Sequence, residues 1–317
     1  MINACLIGYG YWGEKLARNF HNSEFFNLVS IVDNRSKNLS QAKKIYPMTN
    51  VYDNYKNAIK NESIDLIIIS TPTGTHYKIA KFALDKSKHI LVEKPLSLSL
   101  KEVRKLNKTA KSNKCMIFVD YPFLFSGTIK FIKKIIKNNK YGKILEIESF
   151  REKAPIRKDV NVIWDLCTHD ISILTHLLNK KPHSIKTIKK HNIKGPFCDS
   201  AYISLKYNNN LNVLIKNAWV SPTKIRLLKI KFERAIIYCD ENESLYKIKI
   251  YIKKSKHNID KYNLEIPDID LSEPLSNLTN YISKSVKNKK NQLFKNNFNE
   301  KITHLLEKID RSYDKNY

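Results

Sequence analysis

Short apolar runs alternate with segments of helical spacing over the first third of the chain. Strands that alternate with helices in this way form βαβ units, so the pattern predicts an α/β domain on a Rossmann-type, doubly wound parallel sheet. The predicted strands are Asn3–Ile7, Leu28–Val32, Ile64–Ile69, His89–Val92 and Cys115–Val119. The predicted helices lie near Trp12–His21, Ser36–Ile45, His76–Asp85 and Ser99–Ser112, with Ser36 and Thr75 as candidate capping residues.

The pattern of apolar and polar positions changes after Pro122, where strand-like runs become more frequent. A helix is predicted at Val162–Leu178, and two amphipathic helices near Pro274–Val286 and Asn299–Tyr313 close the chain. The remaining runs predict a C-terminal α+β domain with a large, mainly antiparallel sheet. They are a helix at Ile129–Ile136 and strands at Ile144–Phe150, Ser184–Ile188, Ala201–Lys206, Leu211–Ala218, Leu227–Phe232, Ala235–Cys239 and Leu245–Ile252. The expected domains are residues 1–122 and 123–317.

Composition narrows the class of protein. The 317 residues include five scattered cysteines without a C-x-x-C pair, which predicts a reducing compartment, no disulfide framework and no metal site. No apolar run is long enough to cross a bilayer, and the N-terminal run is interpreted as a strand, so we expect a cytoplasmic protein without membrane contact. The formal net charge is +27, but the lysines are spread along the chain. That spread favours solvated lysines over a nucleic-acid partner, although the charge would also attract a nucleotide-linked sugar.

A glycine-rich turn follows the first predicted strand. Gly8, Gly10 and Gly13 fit G-x-G-x-x-G, with Tyr11 and Trp12 between them, and a predicted helix begins there. The first glycine permits the tight turn, the second lets a pyrophosphate approach the backbone, and the third lets helix and strand pack closely. The free N–H groups of the helix N-terminus then bind the anion, so the turn predicts a dinucleotide site.

Acidic and basic residues at the end of the second predicted strand bear on the choice of nucleotide. Asp33 lies about 20 residues past Gly13, where a carboxylate accepts hydrogen bonds from the adenosine ribose and repels a 2′-phosphate. Asn34 and Arg35 follow, and Arg35 could instead meet a 2′-phosphate or stack on adenine. The residues favour NAD, with NADP as the alternative.

A second cofactor segment leaves the most hydrophobic predicted strand. It contains Ser70, Thr71, Pro72, Thr75 and His76. Ligands of open α/β sheets bind at such strand ends, so we expect these residues beside the cofactor. For His76, a surface position in the first turn of a helix is the alternative, and we do not assign it a catalytic role.

The triplet Glu93-Lys94-Pro95 after a Rossmann-like half makes the chain resemble the Gfo/Idh/MocA family, the glucose-fructose oxidoreductase and inositol dehydrogenase group. The resemblance extends to Ser70–His76 and to Asn161–Asp170, a run similar to members associated with nucleotide-sugar and surface-polysaccharide synthesis. It implies a two-domain NAD(P) enzyme whose C-terminal sheet often forms homo-oligomer contacts, giving a dimer or tetramer. Glu93 and Lys94 would lie at the cofactor, and the family Asp-x-x-x-His pair maps onto Asp165 and His169.

The three implied catalytic residues suit the oxidation of a secondary alcohol. Asp165 and His169 are four apart on a predicted helix and so share a face. Histidine titrates near neutral pH and can take the hydroxyl proton as hydride leaves. Lys94 can stabilise negative charge developing on the reacting oxygen. Either Lys94 or His169 could be the formal base, and the predicted substrate contacts are Lys94, Tyr121, Trp164, Asp165 and His169.

Some residues depart from the family pattern and concern the substrate. Trp164 and Cys167 stand where many relatives have glycine, and Ser172 where another Asp is common. Trp164 could be a platform for a sugar ring or part of the core. The predicted function is an NAD(H)-dependent oxidoreductase acting on a sugar, with a nucleotide sugar of glycan biosynthesis preferred. A non-catalytic NAD(P)-binding regulator of the same fold is the alternative.

Overall fold

The computed structural model describes residues 1–191, 195–254, 261–291, 293–294 and 297–312. The chain forms two compact units. The first contains residues 1–122 and 273–304, and the second contains residues 123–272 and those from Leu305 onward. The structure thus departs from a single boundary after Pro122, because residues 273–304 group with the N-terminal part. The separate roles assigned to residues 1–122 and 123–317 stay predictions.

The first unit is built on a six-stranded parallel sheet with strand order β3-β2-β1-β4-β5-β6. This order confirms the doubly wound α/β prediction, since the chain starts in the middle of the sheet and winds outward in both directions. The elements are β1 Ile2–Ile7, α1 Tyr11–His21, β2 Phe26–Val32, α2 Ser36–Ile45, β3 Asn50–Tyr52, α3 Tyr55–Ile59, β4 Leu66–Ile69, α4 His76–Asp85, β5 His89–Glu93, α5 Leu100–Ser112 and β6 Ile117–Asp120.

The middle of this sheet is covered on both faces. Every residue of β4 is buried, as are five of the six residues of β1. Parallel strands covered on both faces read as continuous apolar runs, which explains why both were recognisable in the sequence. Of the two predicted caps, Thr75 lies at the N-cap position of α4, whereas the prediction for Ser36 was wrong. Ser36 is the first residue of α2 rather than its cap, and neither the α2 cap nor Thr75 makes a side-chain capping hydrogen bond.

The second unit contains an eight-stranded mixed sheet with strand order β14-β13-β12-β11-β7-β10-β9-β8. Among the described strands of this sheet, only the β7–β10 pair is parallel, so the predicted mainly antiparallel sheet is confirmed. The elements are α6 Gly127–Lys137, β7 Ile144–Glu152, α7 Thr168–Leu178, β8 Ser184–Lys190, β9 Ser200–Tyr207, β10 Leu211–Ala218, β11 Ile225–Phe232, β12 Ala235–Asp240, β13 Ile248–Lys253 and β14 Tyr262–Glu265. Helices α8 Pro274–Lys287 and α9 Phe298–Arg311 follow, and Tyr313, the predicted end of the last helix, lies outside the described residues.

The helix predicted at Val162–Leu178 is not uniform. A π-helical turn, Ile163–Cys167, precedes α7. Such turns insert an extra residue into a helix, change the direction of its side chains and are frequent at functional sites. Within the part of the chain that the structure describes, no helix is long and apolar enough to span a membrane.

Candidate functional site

The glycine turn lies between β1 and α1. Gly8 has φ +94°, and a Cβ there would stand 2.3 Å from the carbonyl oxygen of Ser70. A Cβ on Gly13 would stand 2.0 Å from the carbonyl oxygen of Gly8, whereas the nearest atom to one on Gly10 is Nη2 of Arg35 at 3.5 Å. Close packing therefore demands Gly8 and Gly13, and the open space at Gly10 fits a pyrophosphate approaching the backbone.

Asp33 directly follows β2 and is buried. Its Oδ2 accepts hydrogen bonds from the Tyr9 backbone N–H (2.8 Å) and the Asn38 side chain (3.0 Å). Its Oδ1 accepts from the Arg35 backbone N–H (2.9 Å) and, more weakly, from Arg35 Nε (3.3 Å). Burial alone would raise the pKa of Asp33, but the hydrogen bonds from Asn38, Arg35 and Tyr9 outweigh it and lower that pKa.

Among these bonds, the contact between Arg35 Nε and Oδ1 of Asp33 is the one that a ribose hydroxyl could replace. The Arg35 side chain is 63% exposed, so its long contact with Asp33 is the one that a ligand could displace at least cost. Tyr11 and Asn34 are also exposed near the same strand ends. The residues of this edge fit a dinucleotide with a free 2′-hydroxyl.

The loop after β4 lies on the adjacent strand end. Thr71 and Thr75 hydrogen-bond each other through their hydroxyls at 2.7 Å, and Thr75 also donates to the Pro72 carbonyl. His76 is buried rather than at the surface. Its Nδ1 lies 2.8 Å from the Pro95 carbonyl oxygen and its Nε2 lies 2.8 Å from that of Thr71. The imidazole therefore ties this loop to the segment that contains Lys94.

Lys94 directly follows β5, is 7% exposed, and precedes a cis peptide bond to Pro95. Beside it, Glu93 ends β5 and Asp120 ends β6, and the two residues pair in register. The indole Nε1 of Trp12 donates to Oδ2 of Asp120 over 2.6 Å. Sequence reasoning missed Asp120, although a polar residue at the carboxyl end of a buried strand is the signal that could have found it.

In the second unit, Asp165 lies in the π-helical turn and is buried. Its Oδ2 accepts a hydrogen bond from the indole Nε1 of Trp219 (2.9 Å), and Arg157 Nη1 lies 3.8 Å from its Oδ1. These two contacts fix the orientation of the carboxylate. Neither Trp219 nor Arg157 was assigned to the site from the sequence.

His169 lies in the first turn of α7 and is half-buried. The ring of Phe123 meets it edge-on, with centroids 5.1 Å apart and planes at 80°. The Arg151 guanidinium lies 4.2 Å from the Phe123 ring centroid, and its Nε donates to Oδ1 of Asp170 over 2.7 Å. A chain of contacts thus runs from a buried ion pair to the imidazole.

That ion pair is further supported from two strands of the eight-stranded sheet. Asp170 also accepts hydrogen bonds from Ser149 on β7 (2.6 Å) and Asn217 on β10 (2.9 Å). A buried carboxylate with this many donors is held rigidly, and removing one partner would leave an uncompensated charge. The start of α7, and with it the backbone of His169, is anchored to the sheet.

Two predicted substrate contacts lie in the core instead. Trp164 is buried, and its indole donates to Oδ2 of Asp310 over 2.9 Å, the arrangement expected of a core tryptophan. Tyr121 is 1% exposed and packs against the rings of Phe294 and Phe298 at 6.3 and 6.2 Å. Burial of apolar ring surface explains both positions, and contact of either residue with a substrate stays a prediction.

The two units carry matching family signatures. Residues 2–121 match the oxidoreductase family with an NAD-binding Rossmann fold, and residues 129–242 match the GFO/IDH/MocA C-terminal domain. The chain belongs to the Gfo/Idh/MocA family of NAD-binding oxidoreductases, and the resemblance drawn from Glu93-Lys94-Pro95 is confirmed.

Individual relatives are distant in sequence. The chain is 24% identical to the myo-inositol 2-dehydrogenase of Thermotoga maritima over 225 residues, 67% of each protein. It is 28% identical to an uncharacterised oxidoreductase of Schizosaccharomyces pombe, of which it spans only 42%. The UDP-N-acetylglucosamine 3-dehydrogenase of Acidithiobacillus ferrooxidans has the same fold, with TM-score 0.85, 17% identity and coverage of 98% of this chain and 97% of that one. A levoglucosan dehydrogenase solved with NADH and levoglucosan superposes with TM-score 0.85 at 15% identity, covering 98% and 96% of the two chains.

Proposed function

We propose that the chain transfers a hydride between NAD(H) and a secondary alcohol or ketone of a sugar-like substrate. The observation that carries the proposal is in the first unit. The glycine turn, Asp33 and Lys94 follow three strands of one parallel sheet and so share its carboxyl edge. Dinucleotides bind at that edge in open α/β sheets, and a buried lysine there is available to a reacting oxygen.

Bound NAD⁺ would supply the acceptor for the hydride of the alcohol carbon, and residues of the protein would hold the hydroxyl proton. Lys94 can take this proton or donate a hydrogen bond to the reacting oxygen, and His169 is the second candidate for the base. Asp165, oriented by Trp219 and Arg157, binds a substrate hydroxyl or the imidazole. In the reduction direction the same groups return the proton.

A nucleotide sugar is the preferred substrate within this class. The formal charge of +27 would attract a diphosphate, and one similar structure bears the name of a UDP-N-acetylglucosamine dehydrogenase. A role in surface-polysaccharide or glycan synthesis, in the cytoplasm, belongs to this proposal. So does a homo-oligomer formed through the eight-stranded sheet.

The experiment measures NADH formation and consumption with myo-inositol, levoglucosan, and UDP- and dTDP-linked sugars. We expect turnover with at least one compound, and a fall of about 100-fold or more in Lys94→Met and His169→Asn. The matched control is Lys88→Met. Lys88 is also buried in the first unit, but it precedes β5 and donates to the backbone carbonyls of Asn61 and Glu62.

The alternative is a regulator that binds NAD(H) without turnover. It would bind NADH tightly while wild type, Lys94→Met and Lys88→Met gave the same background rate with every compound. An equal loss of rate in the Lys94 and Lys88 variants, with intact thermal stability, would also count against the proposed role of Lys94.

A further inference from the structure

Two acidic side chains meet at the end of the parallel sheet. Glu93 and Asp120 are the last residues of neighbouring strands and pair in register. Oε2 of Glu93 and Oδ1 of Asp120 are both buried, and no donor outside this pair of carboxyl groups reaches either atom among the described residues. Two carboxylates cannot face each other in a buried site without large repulsion, whereas a carboxyl and a carboxylate can share a proton.

The surrounding donors show which member holds the proton. Trp12 Nε1 donates to Oδ2 of Asp120, so that group acts as an acceptor. Burial raises the pKa of Glu93 well above its ordinary value, and the neighbouring Asp120 charge raises it further. Burial also raises the pKa of Asp120, to about 6, although hydrogen bonds from Trp12 and Glu93 and the charge of Lys94 oppose that rise. Glu93 is therefore the protonated partner and donates to Asp120.

Every neighbouring group fits this assignment. The positive charge of Lys94 acts to lower the pKa of both acids. Tyr121 follows β6, and burial raises its pKa, so it stays a neutral phenol. The indole of Trp12 carries no charge.

We propose that Glu93 and Asp120 share one proton and act as a single negative unit that positions Lys94 and balances its charge. The role for Lys94 rests on the proposed function. The shared proton rests only on the arrangement of the two carboxyl groups. Because Trp12 lies in the first turn of α1, between Gly10 and Gly13, the same unit joins the pyrophosphate-binding segment to the reacting lysine.

Substitutions distinguish a pair that shares one proton from two independently ionised carboxylates. Glu93→Gln and Asp120→Asn each leave one ionised carboxyl, so the pair keeps one negative charge, as in the wild type. Only the double substitution removes that charge. On its basic side, the midpoint of the pH profile of kcat/KM should therefore stay in place in both single variants, whatever their rates. In the double variant it should move to lower pH, because the pair then supplies no negative charge.

Infrared spectroscopy tests the proton directly at neutral pH, without substrate. The wild type should show the carbonyl band of a protonated carboxylic acid, and that band should vanish in each single variant. Asp85→Asn, which removes an exposed carboxylate paired with Lys81, should leave both the band and the pH profile unchanged. Absence of the band from the wild-type minus Glu93→Gln difference spectrum overturns the shared proton, even if the double variant does not fold.

Equal shifts of the pH profile in each single variant would overturn the proposal as well, because they would mean that two charges were present. The two proposals fail separately. A wild type without hydride transfer but with the acid band would defeat the proposed function and leave the shared proton standing. An active enzyme without the band would do the reverse.

Discussion

The indole nitrogen of Trp219 lies 2.9 Å from Oδ2 of Asp165, which joins the residue after β10 to the π-helical turn. Both side chains are buried, so water competes poorly for this bond. A hydrogen bond to a buried carboxylate contributes roughly 1.5 to 3 kcal/mol. The contact therefore has enough energy to fix how Asp165 presents its other oxygen.

Trp219→Phe should lower kcat/KM about 10- to 100-fold, because it removes the donor while keeping an aromatic ring at this position. Initial rates with NADH and the best substrate, together with urea unfolding, measure the effect. A rate within twofold of wild type would mean that Asp165 needs no support from Trp219. A loss of stability without a loss of rate would assign the bond to folding alone.

Two glycines of the same turn should respond differently to alanine. The new Cβ of Gly13→Ala would stand 2.0 Å from the Gly8 carbonyl oxygen, which is backbone and cannot move aside cheaply. We expect a loss of about 3 kcal/mol or more in the free energy of unfolding. Gly10→Ala meets only the Arg35 guanidinium at 3.5 Å and should change stability by less than about 1 kcal/mol.

The two variants should separate folding from cofactor binding. Gly10→Ala should weaken NADH at least about tenfold, since its methyl group occupies the space through which a pyrophosphate approaches the backbone. Thermal unfolding and NADH fluorescence titration provide the two measurements. Unchanged NADH affinity in Gly10→Ala would show that the cofactor does not approach the turn at this residue.

The sequence predicted the elements whose pattern is local. Strand β4 is apolar throughout because both of its faces are covered. Such a continuous apolar run can be recognised without knowledge of the rest of the fold. Strand β3, Asn50–Tyr52, was missed because three partly exposed residues carry no such signal. The π-helical turn was hidden too, since the apolar spacing of Ile163–Cys167 resembles that of an ordinary helix.

Contacts between residues distant in the chain limited how much of the site could be predicted from the sequence. Gly8 and Asp33 could be found because a strand, a turn and a helix follow one another in the chain. Asp120 accepts a hydrogen bond from Trp12, which is 108 positions away, and no local sequence pattern predicts that contact. The sequence did not predict that residues 273–304 belong to the first unit, and the reason is the same. Amphipathic spacing shows that a helix covers a core, but not which core.

Asp33 and Arg35 should control the choice of nucleotide in opposite directions. Arg35→Ala removes the group that could meet a 2′-phosphate and should weaken NADPH about tenfold, with little effect on NADH. Asp33→Ser removes the carboxylate that excludes this phosphate and should weaken NADH about tenfold while improving NADPH. Dissociation constants for both nucleotides in both variants measure the effect, and parallel changes for NADH and NADPH would contradict this division of roles.

Asp310 should make the free energy of unfolding depend on pH in the acid range. Burial would raise the pKa of this carboxyl, but hydrogen bonds from Lys189, Trp164 and Asn161 outweigh it and lower that pKa. The contacts are 2.7 Å to Lys189 Nζ and 2.9 Å each to the Trp164 indole and the Asn161 amide. Because the folded pKa lies below the unfolded value near 3.8, the ionised carboxyl stabilises the fold above that pH.

The stabilisation should disappear as pH falls through the folded pKa. At neutral pH, Asp310→Asn should lower the free energy of unfolding by about 1 to 3 kcal/mol, and the difference from wild type should shrink below about pH 4. Urea unfolding at a series of pH values measures both curves. The control is Asp159→Asn, since Asp159 pairs with Arg157 at a more exposed position and should change stability by less than about 1 kcal/mol. A difference between wild type and Asp310→Asn that stayed constant down to pH 2 would show that the Asp310 charge does not stabilise the fold.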